Sequence, residues 1–463
     1  MKVAKLVAAA FASALACASA GCEGRATVSG DQRTPATSVG PATPASAAGT
    51  SAASSGPAGA GAAPDVLAPG DGPGRFDAVS AVPACADKTG EIATFLKRGE
   101  LSIAAREGAV AAAWLLELPN TPAAQVAFAG FDAEGRQLAR ARGIGASRDY
   151  PPRVFATGDV WTVVWFDAEG LAHARPRWET LPAPDVTHLS ALGKDVSEDV
   201  ALARAPSGSL VVSAPFGPDR AQLSLFLFAP LDAGEAPARA LAVTKHARQP
   251  RRPAVAAHEG GYYLAWFEEG GRIAASHFDD SGKESETAAT VVAAGEAARE
   301  GLALAATPTG AIAVWQEAGV VRARALDTSA RPTGPLTTVG KGRWAQLLAL
   351  PATAGEASGA APDGGAATSD AGAAPAGAAA VLVAWVGNDG KADDQLLVAA
   401  LDVAAVPASA GLRVSSGSLP LKDPPSVSPM GTRLAFAWTE VMSVGVASKR
   451  AVLRTIAAGC VPR

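Results

Sequence analysis

The stretch Glu259–Gly282, EGGYYLAWFEEGGRIAASHFDDSG, decides the fold. Gly260-Gly261 leads into Tyr262–Phe267, an aromatic and apolar run containing Ala265-Trp266. Residues of this kind fit the pleated, half-buried surface of a strand. Glu268-Glu269-Gly270-Gly271 breaks the run, Ile273–Phe278 returns, and Asp279-Asp280-Ser281-Gly282 closes the unit. Glycine supplies positive φ, and Asp and Ser side chains bond nearby backbone, so both breaks read as tight turns. The unit is two strands joined by a turn.

Degenerate copies extend in both directions. Apolar runs ending at tryptophan occur at Trp114, Trp165, Trp266, Trp315, Trp385 and Trp438. A seventh run, Leu210-Val211-Val212-Ser213, places Ser213 where the tryptophan is expected. The spacing is roughly 50 residues, a period that marks repeat architectures. The one wide gap, between Trp315 and Trp385, holds Pro351–Gly377, an Ala/Gly/Pro/Asp run expected to be a disordered surface insertion over about 351–377. Each copy has the same grammar. An alternating segment comes first: Leu101–Ala105, Val154–Ala156, Val200–Ala205, Ala254–His258, Leu302–Ala306, Ala345–Ala349 and Ser426–Ser428. A turn, the run to tryptophan and a second turn follow. Then comes a strand ending in aspartate, as in Phe131-Asp132, Leu231-Asp232, Phe278-Asp279, Leu326-Asp327 and Leu401-Asp402. A weaker fourth strand often closes the copy, for example Ala289–Val292 or Leu336–Val339. Short strands punctuated by turns indicate an all-β chain.

Four strands per copy resemble the blade of a β-propeller. The resemblance spans roughly residues 97–457 and is to loosely patterned propellers of exported bacterial proteins. It matches no named subclass, since neither the Gly-His…Trp-Asp signature nor the S-x-D-x-G-x-T-W box is present. It implies a single propeller of about seven four-stranded blades. The periodic tryptophans are then inter-blade packing groups, and Ser213 marks the blade expected to pack least well.

The last copy runs out early: after Trp438 one clear strand remains, Ala451–Ile456. An open sheet edge invites aggregation, so the segment Phe76–Leu96 is expected to supply the missing strand, through Val79–Val82 or Ile92–Phe95. The four cysteines agree. Cys17 and Cys22 belong to the N-terminal region. Cys85 and Cys460 lie at the two ends of the repeat array and are expected to form a disulfide in an oxidising compartment. Zinc ligand spacing is absent from both.

Composition narrows the function. Charged residues make up 18% of the 463, the net charge is −4, and the sequence pI is about 5.8. No basic face for nucleic acid follows from this balance. Lys2, Lys5 and the apolar segment Leu6–Ala16 have signal-peptide character. Ala18-Ser19-Ala20 fits simple secretion, whereas Ser19-Ala20-Gly21-Cys22 resembles a lipobox, with Cys17 in a poorer version of the same motif. The favoured division is a signal peptide over 1–21, lipidation at Cys22, a disordered Ala/Gly/Pro/Ser-rich tether over 22–75 and the propeller over 76–463. The alternative is a freely secreted or periplasmic protein. Contact with membrane is expected only through the lipid.

No catalytic or metal constellation stands out, and no cofactor is expected. His173, His188, His246, His258 and His277 form no H-x-x-H or H-E-x-x-H pair. His258 and His277 fall on the first and third strands of one repeat, where they are expected to approach only loosely and to play structural roles. Asn388–Asp394 and Asp279–Gly282 read as tight turns rather than calcium loops. Nucleophile elbows, P-loops and dinucleotide fingerprints are missing. Charged and aromatic residues do cluster just before the first strand of several repeats. These are Arg148, Asp149, Tyr150, Arg153, Asp195, Asp199, Arg248, Arg251, Arg252, Arg299, Arg343 and Trp344. In a propeller such loops share one face around the central channel, which makes that face the candidate binding surface. The expected function is a non-catalytic binding scaffold of the bacterial cell envelope, a monomer whose partner is an envelope protein or glycan. A propeller enzyme (hydrolase or lyase) with its site at the channel, and a structural subunit of an envelope complex, are the alternatives.

Overall fold

The computed structural model describes residues 77–78, 85 and 88–96 and, from 100 to 461, all but a set of internal segments, the longest being 190–199, 229–238 and 351–378. The chain divides into two units, Met1–Val66 and Leu67–Arg463, and every described residue belongs to the second. The expected signal peptide, Cys22, the whole of the tether and the 351–377 insertion therefore lie outside the described residues.

The described strands form five four-stranded sheets and one eight-stranded sheet. In the first, Leu101–Arg106, Ala109–Glu117, Ala124–Asp132 and Arg142–Ser147 follow one another in chain order, each antiparallel to the last. The eight-stranded sheet is two such meanders sharing a strand, with Asp77–Ala78 added at one edge. Pro332–Ala349, 18 residues long, pairs through its first half with Val320–Leu326 and through its second half with Ala379–Gly387. Counted this way, there are seven four-stranded groups, numbered here as blades 1 to 7 in chain order. Their inner strands are Leu101–Arg106, Arg153–Thr157, Ala201–Arg204, Arg251–His258, Arg299–Thr307, the second half of Pro332–Ala349, and Ser426–Met430.

The blades close into a propeller. Inner strands are stitched to their neighbours by side chains, because the ladder of each blade leaves their outward backbone groups unpaired. Ser102 Oγ accepts from the Val154 N–H at 3.1 Å, tying blade 1 to blade 2. Arg204 donates to the Ala156 carbonyl, tying blade 3 to blade 2. Ser426 and Ser428 accept from the Ile103 and Ala105 N–H groups at 3.0 and 2.8 Å, joining blade 7 to blade 1.

Seven apolar clusters lie between consecutive blades. Trp165, Trp266, Trp315, Trp385 and Trp438 are fully buried, and each reaches back to the preceding blade. Trp266, for example, packs with Val211 and Leu223, and Trp438 with Leu382 and Val398. Three of the indole N–H groups bond a glutamate two residues on: Trp266 to Glu268 at 3.3 Å, Trp315 to Glu317 at 3.1 Å and Trp438 to Glu440 at 2.9 Å. Each of those carboxylates is held in turn by an arginine, Arg272, Arg299 or Arg450. Where glutamate is replaced by Asp167 or Gly387, the indole instead donates to a carbonyl of the preceding blade. Trp165 bonds Ala146 at 2.9 Å and Trp385 bonds Lys341 at 3.2 Å. A glycine makes room for each ring: a Cβ on Gly145 would sit 2.5 Å from Trp165, and one on Gly340 3.0 Å from Trp385.

Blade 3 corrects the reading of Ser213. Strand residues alternate between faces. Leu210 and Val212 join the cluster toward blade 2, while Val211 joins the one toward blade 4. Ser213 shares the parity of Val211, so the register position held elsewhere by tryptophan falls on Ala214. Phe226 and Phe228 supply the aromatic bulk of the blade 2–3 cluster instead. Ser213 is fully buried, and among the described residues its hydroxyl has no hydrogen-bond partner. Ser213→Ala removes that stranded hydroxyl at nearly constant volume and is expected to stabilise the protein by about 1 kcal/mol. Urea denaturation checks this; a destabilised variant would show that the hydroxyl is satisfied in solution.

Ring closure follows the expected plan. Lys88–Leu96, which contains Ile92–Phe95, pairs antiparallel with Lys449–Ala457 as the fourth strand of blade 7. Asp77–Ala78 pair in parallel with Leu412–Arg413 at the edge of blade 6; Val79–Val82 lie outside the described residues. Cys85 and Cys460 are disulfide-bonded, with Cα atoms 5.7 Å apart. The closing strand also meets blade 1, where a Cβ on Gly90 would lie 2.0 Å from the Gly135 carbonyl oxygen.

Four of the strand-ending aspartates are turn caps, and Asp232 lies outside the described residues. The Oδ1 atoms of Asp132, Asp279, Asp327 and Asp402 each accept backbone N–H groups from the residues two and four positions on, at 2.8–3.0 Å. At Asp279 the Ser281 hydroxyl and the Lys283 and Ser281 N–H groups hold the carboxyl below its usual range. Asp132 and Asp279 are followed three residues on by Gly135 and Gly282, whereas Asp327 and Asp402 make the same turn with Ala330 and Ala405 at positive φ.

Candidate functional site

A cavity of about 820 Å³ lies where the inner strands converge. Five inner strands contribute to its wall, through Arg153, Ala201-Leu202, Pro253–Val255, Leu302–Leu304 and Gln346-Leu347. Most of the lining residues are aliphatic, yet the surface presented to the cavity is mainly polar. Its polar side is built from the entries to blades 1 and 2: Glu100, Arg148, Tyr150 and Arg153.

The backbone of blades 4, 5 and 6 is shaped at this level. Each inner strand has a register irregularity against its partner, between Arg251 and Ala254, Glu300 and Ala303, and Arg343 and Gln346. Each contains a residue at positive φ: Arg252 at 44°, Gly301 at 62° and Trp344 at 55°. Inner strands of blades 1, 2, 3 and 7 run in unbroken register. A bulge re-aims the residues that follow it; here Pro253, Leu302 and Gln346 follow and face the cavity. Left-handed backbone at a non-glycine residue costs of order 1–3 kcal/mol and concentrates at ligand sites.

Opposite the bulges lies a charged wall. Burial raises the Glu100 carboxyl above its usual range, and Asp423 adds to the rise, while Arg153 and Lys449 pull the other way. Burial lowers the Arg153 guanidinium, against the attraction of Glu100. Arg153 is reached by solvent from the channel yet walled by protein, which accounts for its being both accessible and poorly hydrated. It keeps its charge, as arginine does in proteins. Behind the pair, Asp423 accepts from the Thr439 hydroxyl and from Lys449 Nζ at 2.9 Å. Tyr150 meets Phe166 edge to face at 5.3 Å and offers an aromatic surface at the same mouth. The wall thus presents a buried carboxyl whose pKa is raised, a fixed cation and an aromatic ring beside aliphatic side chains, the composition of a small-ligand site.

The other residues expected on this face divide into three sets. Asp149, Asp195, Asp199 and Arg248 lie outside the described residues. Arg251 and Arg252 are exposed at the start of the blade 4 inner strand, one step from the cavity-lining Pro253. Arg299, Arg343 and Trp344 depart from the expectation. The Arg299 side chain is only 4% exposed. Its guanidinium bonds Glu317 and the carbonyls of Gly271, Gly295 and Ala294, so it locks blade 4 to blade 5. Arg343 pairs with Asp394 at 2.6 Å and lies 4.2 Å over Trp344, which packs against the blade 6–7 cluster. Polar entry loops serve these inter-blade joints as well as a ligand face, and composition alone does not separate the two uses. Glu100, in contrast, was not singled out by the sequence; its one signal is position, directly ahead of the first inner strand.

Among the histidines, His246 lies outside the described residues. His188 Nε2 contacts Asp167 at 2.7 Å. His173 is pushed down to about 4 by burial, with Arg175 and His188 adding to the shift. His258 and His277 correct the expectation of a loose approach: their Nε2 atoms are 3.0 Å apart.

No family model and no curated protein matches the chain. Solved structures do. A protein of unknown function from Dyadobacter fermentans is 12% identical, with a TM-score of 0.44 over 81% of this chain and 100% of its own. The WD40 domain of Toxoplasma gondii coronin is 12% identical, with a TM-score of 0.47 over 85% and 89%. A mutant Aleuria aurantia lectin in complex with alpha-methyl-L-fucoside is 11% identical, with a TM-score of 0.39 over 77% and 92%.

Proposed function

We propose that this chain is a non-catalytic binding scaffold of the bacterial cell envelope, and that its ligand seats in the axial cavity against Glu100, Arg148, Tyr150 and Arg153. The observation that carries the reading is the asymmetry of that cavity: aliphatic and bulged on the side of blades 4 to 6, charged and aromatic at the entries to blades 1 and 2. Saccharides fit such a wall well. A carboxyl and a guanidinium pair with hydroxyls, and an aromatic ring covers the C–H face of a sugar. An extended peptide of an envelope protein is the other class with the needed mixture. Export is supported by the Cys85–Cys460 bond, since disulfides persist in oxidising compartments. A lipid anchor at Cys22 and a tether over 22–75 would hold the propeller off the membrane. Intact mass from a native-type bacterial host tests that part. A chain starting at Cys22 with a diacylglycerol adduct supports it, and one starting at Gly21 without an adduct makes the protein freely secreted.

The site is tested by calorimetric titration with soluble envelope glycans and peptides. The expected result is a ligand whose affinity falls at least about tenfold in Arg153→Ala, the usual loss when a buried charged contact is removed. It should fall also in Glu100→Gln, which keeps shape but fixes the protonation state. A ligand bound equally well by both variants would place the site elsewhere.

A further inference from the structure

Blade 4 carries a second cluster, far in sequence from the entry residues and separate from the cavity lining. His258 ends the inner strand, and His277 lies on the third strand directly across from Tyr263. The two Nε2 atoms are 3.0 Å apart. The imidazole planes are 29° apart, and both rings lie against the buried Tyr263, with centroids at 4.8 and 4.7 Å. On its far side His277 Nδ1 contacts Ser285 Oγ at 2.6 Å. The contacts admit two tautomers; in the one that leaves a lone pair at Nε2, His277 donates from Nδ1 to the hydroxyl. Its Nε2 lone pair then faces His258. Two nitrogens this close hold at most one proton between them.

We propose that His258 and His277 form a two-imidazole chelate for a divalent first-row transition ion, copper(II) foremost, which takes the place of that proton. Three features support it. Metal–imidazole bonds are about 2.0–2.1 Å, so nitrogens 3.0 Å apart subtend roughly 90–97° at a shared ion, which the rings, now nearly head-on with centroids 5.2 Å apart, reach by turning outward. That is the cis angle of a tetragonal site, the geometry of copper(II) and nickel(II), and copper is bound most strongly in the divalent series. The Ser285 contact holds the His277 ring in place, as outer partners of metal-bound histidines do. Tyr263 backs both rings, while the half-buried outer edge leaves room for water at the remaining positions. Among the described residues no group of three or more His, Cys, Asp or Glu side chains could hold a metal, so solvent completes the shell and the ion is exchangeable. Asp279, at the end of the His277 strand, adds a favourable negative charge.

The test uses untagged full-length protein titrated with copper(II), read by electron paramagnetic resonance and calorimetry. One equivalent with hyperfine coupling to two nitrogens is expected. His258→Gln and His277→Gln should each weaken binding at least about tenfold and remove one coupled nitrogen, whereas His188→Gln should change nothing. Copper bound identically in both blade 4 variants, as an amino-terminal site would give, overturns the proposal. So does the absence of saturable binding to the wild-type chain, a result that needs no variant to fold.

Discussion

Trp438→Ala is expected to destabilise the protein by about 3–5 kcal/mol, the range for deleting a fully buried aromatic side chain. Trp438 has no exposed surface and fills the cluster between blades 6 and 7 with Leu382, Val398 and Phe436. The substitution leaves a cavity that the strands on either side cannot close without leaving their ladders. It also strips the indole donor from Glu440, a carboxylate that is itself 1% exposed. Trp438→Phe should recover most of the packing but not the hydrogen bond, at a cost of roughly 1–2 kcal/mol relative to wild type. Equilibrium urea unfolding, followed by fluorescence and by circular dichroism, measures both. A shift below about 1 kcal/mol for the alanine variant would mean that the cluster relaxes and that the tryptophan is not the wedge described.

Removing the Cys85–Cys460 disulfide is expected to cost about 2–5 kcal/mol. The bond closes a loop with a sequence separation of 375 residues, so its main effect is to restrict the unfolded chain. It also pins the entry of the closing strand Lys88–Leu96. A Cys85→Ser/Cys460→Ser double variant should therefore unfold at lower denaturant and lose protection first along that strand. The same comparison runs on the wild-type chain with and without reductant, where a two-hydrogen mass gain reports the bond. Equal midpoints for the oxidised and reduced forms would show that strand pairing alone closes the ring.

Much of the architecture was readable from period and alternation. The tryptophan runs, the aspartate turns and the shortage of strands after Trp438 were enough to expect a propeller closed by its N-terminal segment, and Ile92–Phe95 is part of the strand that closes it. Where the reading slipped, the reasons are physical. At Ser213 a run of three apolar residues, Leu210–Val212, looked like the others. Period-2 geometry gives opposite faces to neighbours, so a one-residue offset exchanges core for core without altering composition. The Trp-x-Glu triplets at Trp266, Trp315 and Trp438 were visible but unread, because nothing local shows that a glutamate beside an apolar run is buried rather than solvated. The candidate site was legible in part. Arg148, Tyr150 and Arg153 do line the cavity. Arg299 and Arg343 look the same in sequence, yet their partners come from another blade or a distant loop. The His258–His277 contact depends on the stagger of three strands, which turn lengths do not fix in advance.

The 18-residue strand Pro332–Ala349 has a consequence for how the molecule opens. Elsewhere the outer strand of one blade and the inner strand of the next are separate segments, so a blade can fray at its rim while its neighbour stays paired. Blades 5 and 6 are coupled by one continuous backbone whose amides serve both ladders in turn. Loss of pairing on one side of Gly340–Gly342 removes the template for the other. These two blades should therefore exchange their amide hydrogens as a single cooperative unit, with opening free energies in Arg299–Thr307, Gly310–Glu317 and Val320–Leu326 that match those in Ala379–Gly387 and Gln395–Asp402, while the remaining blades exchange separately.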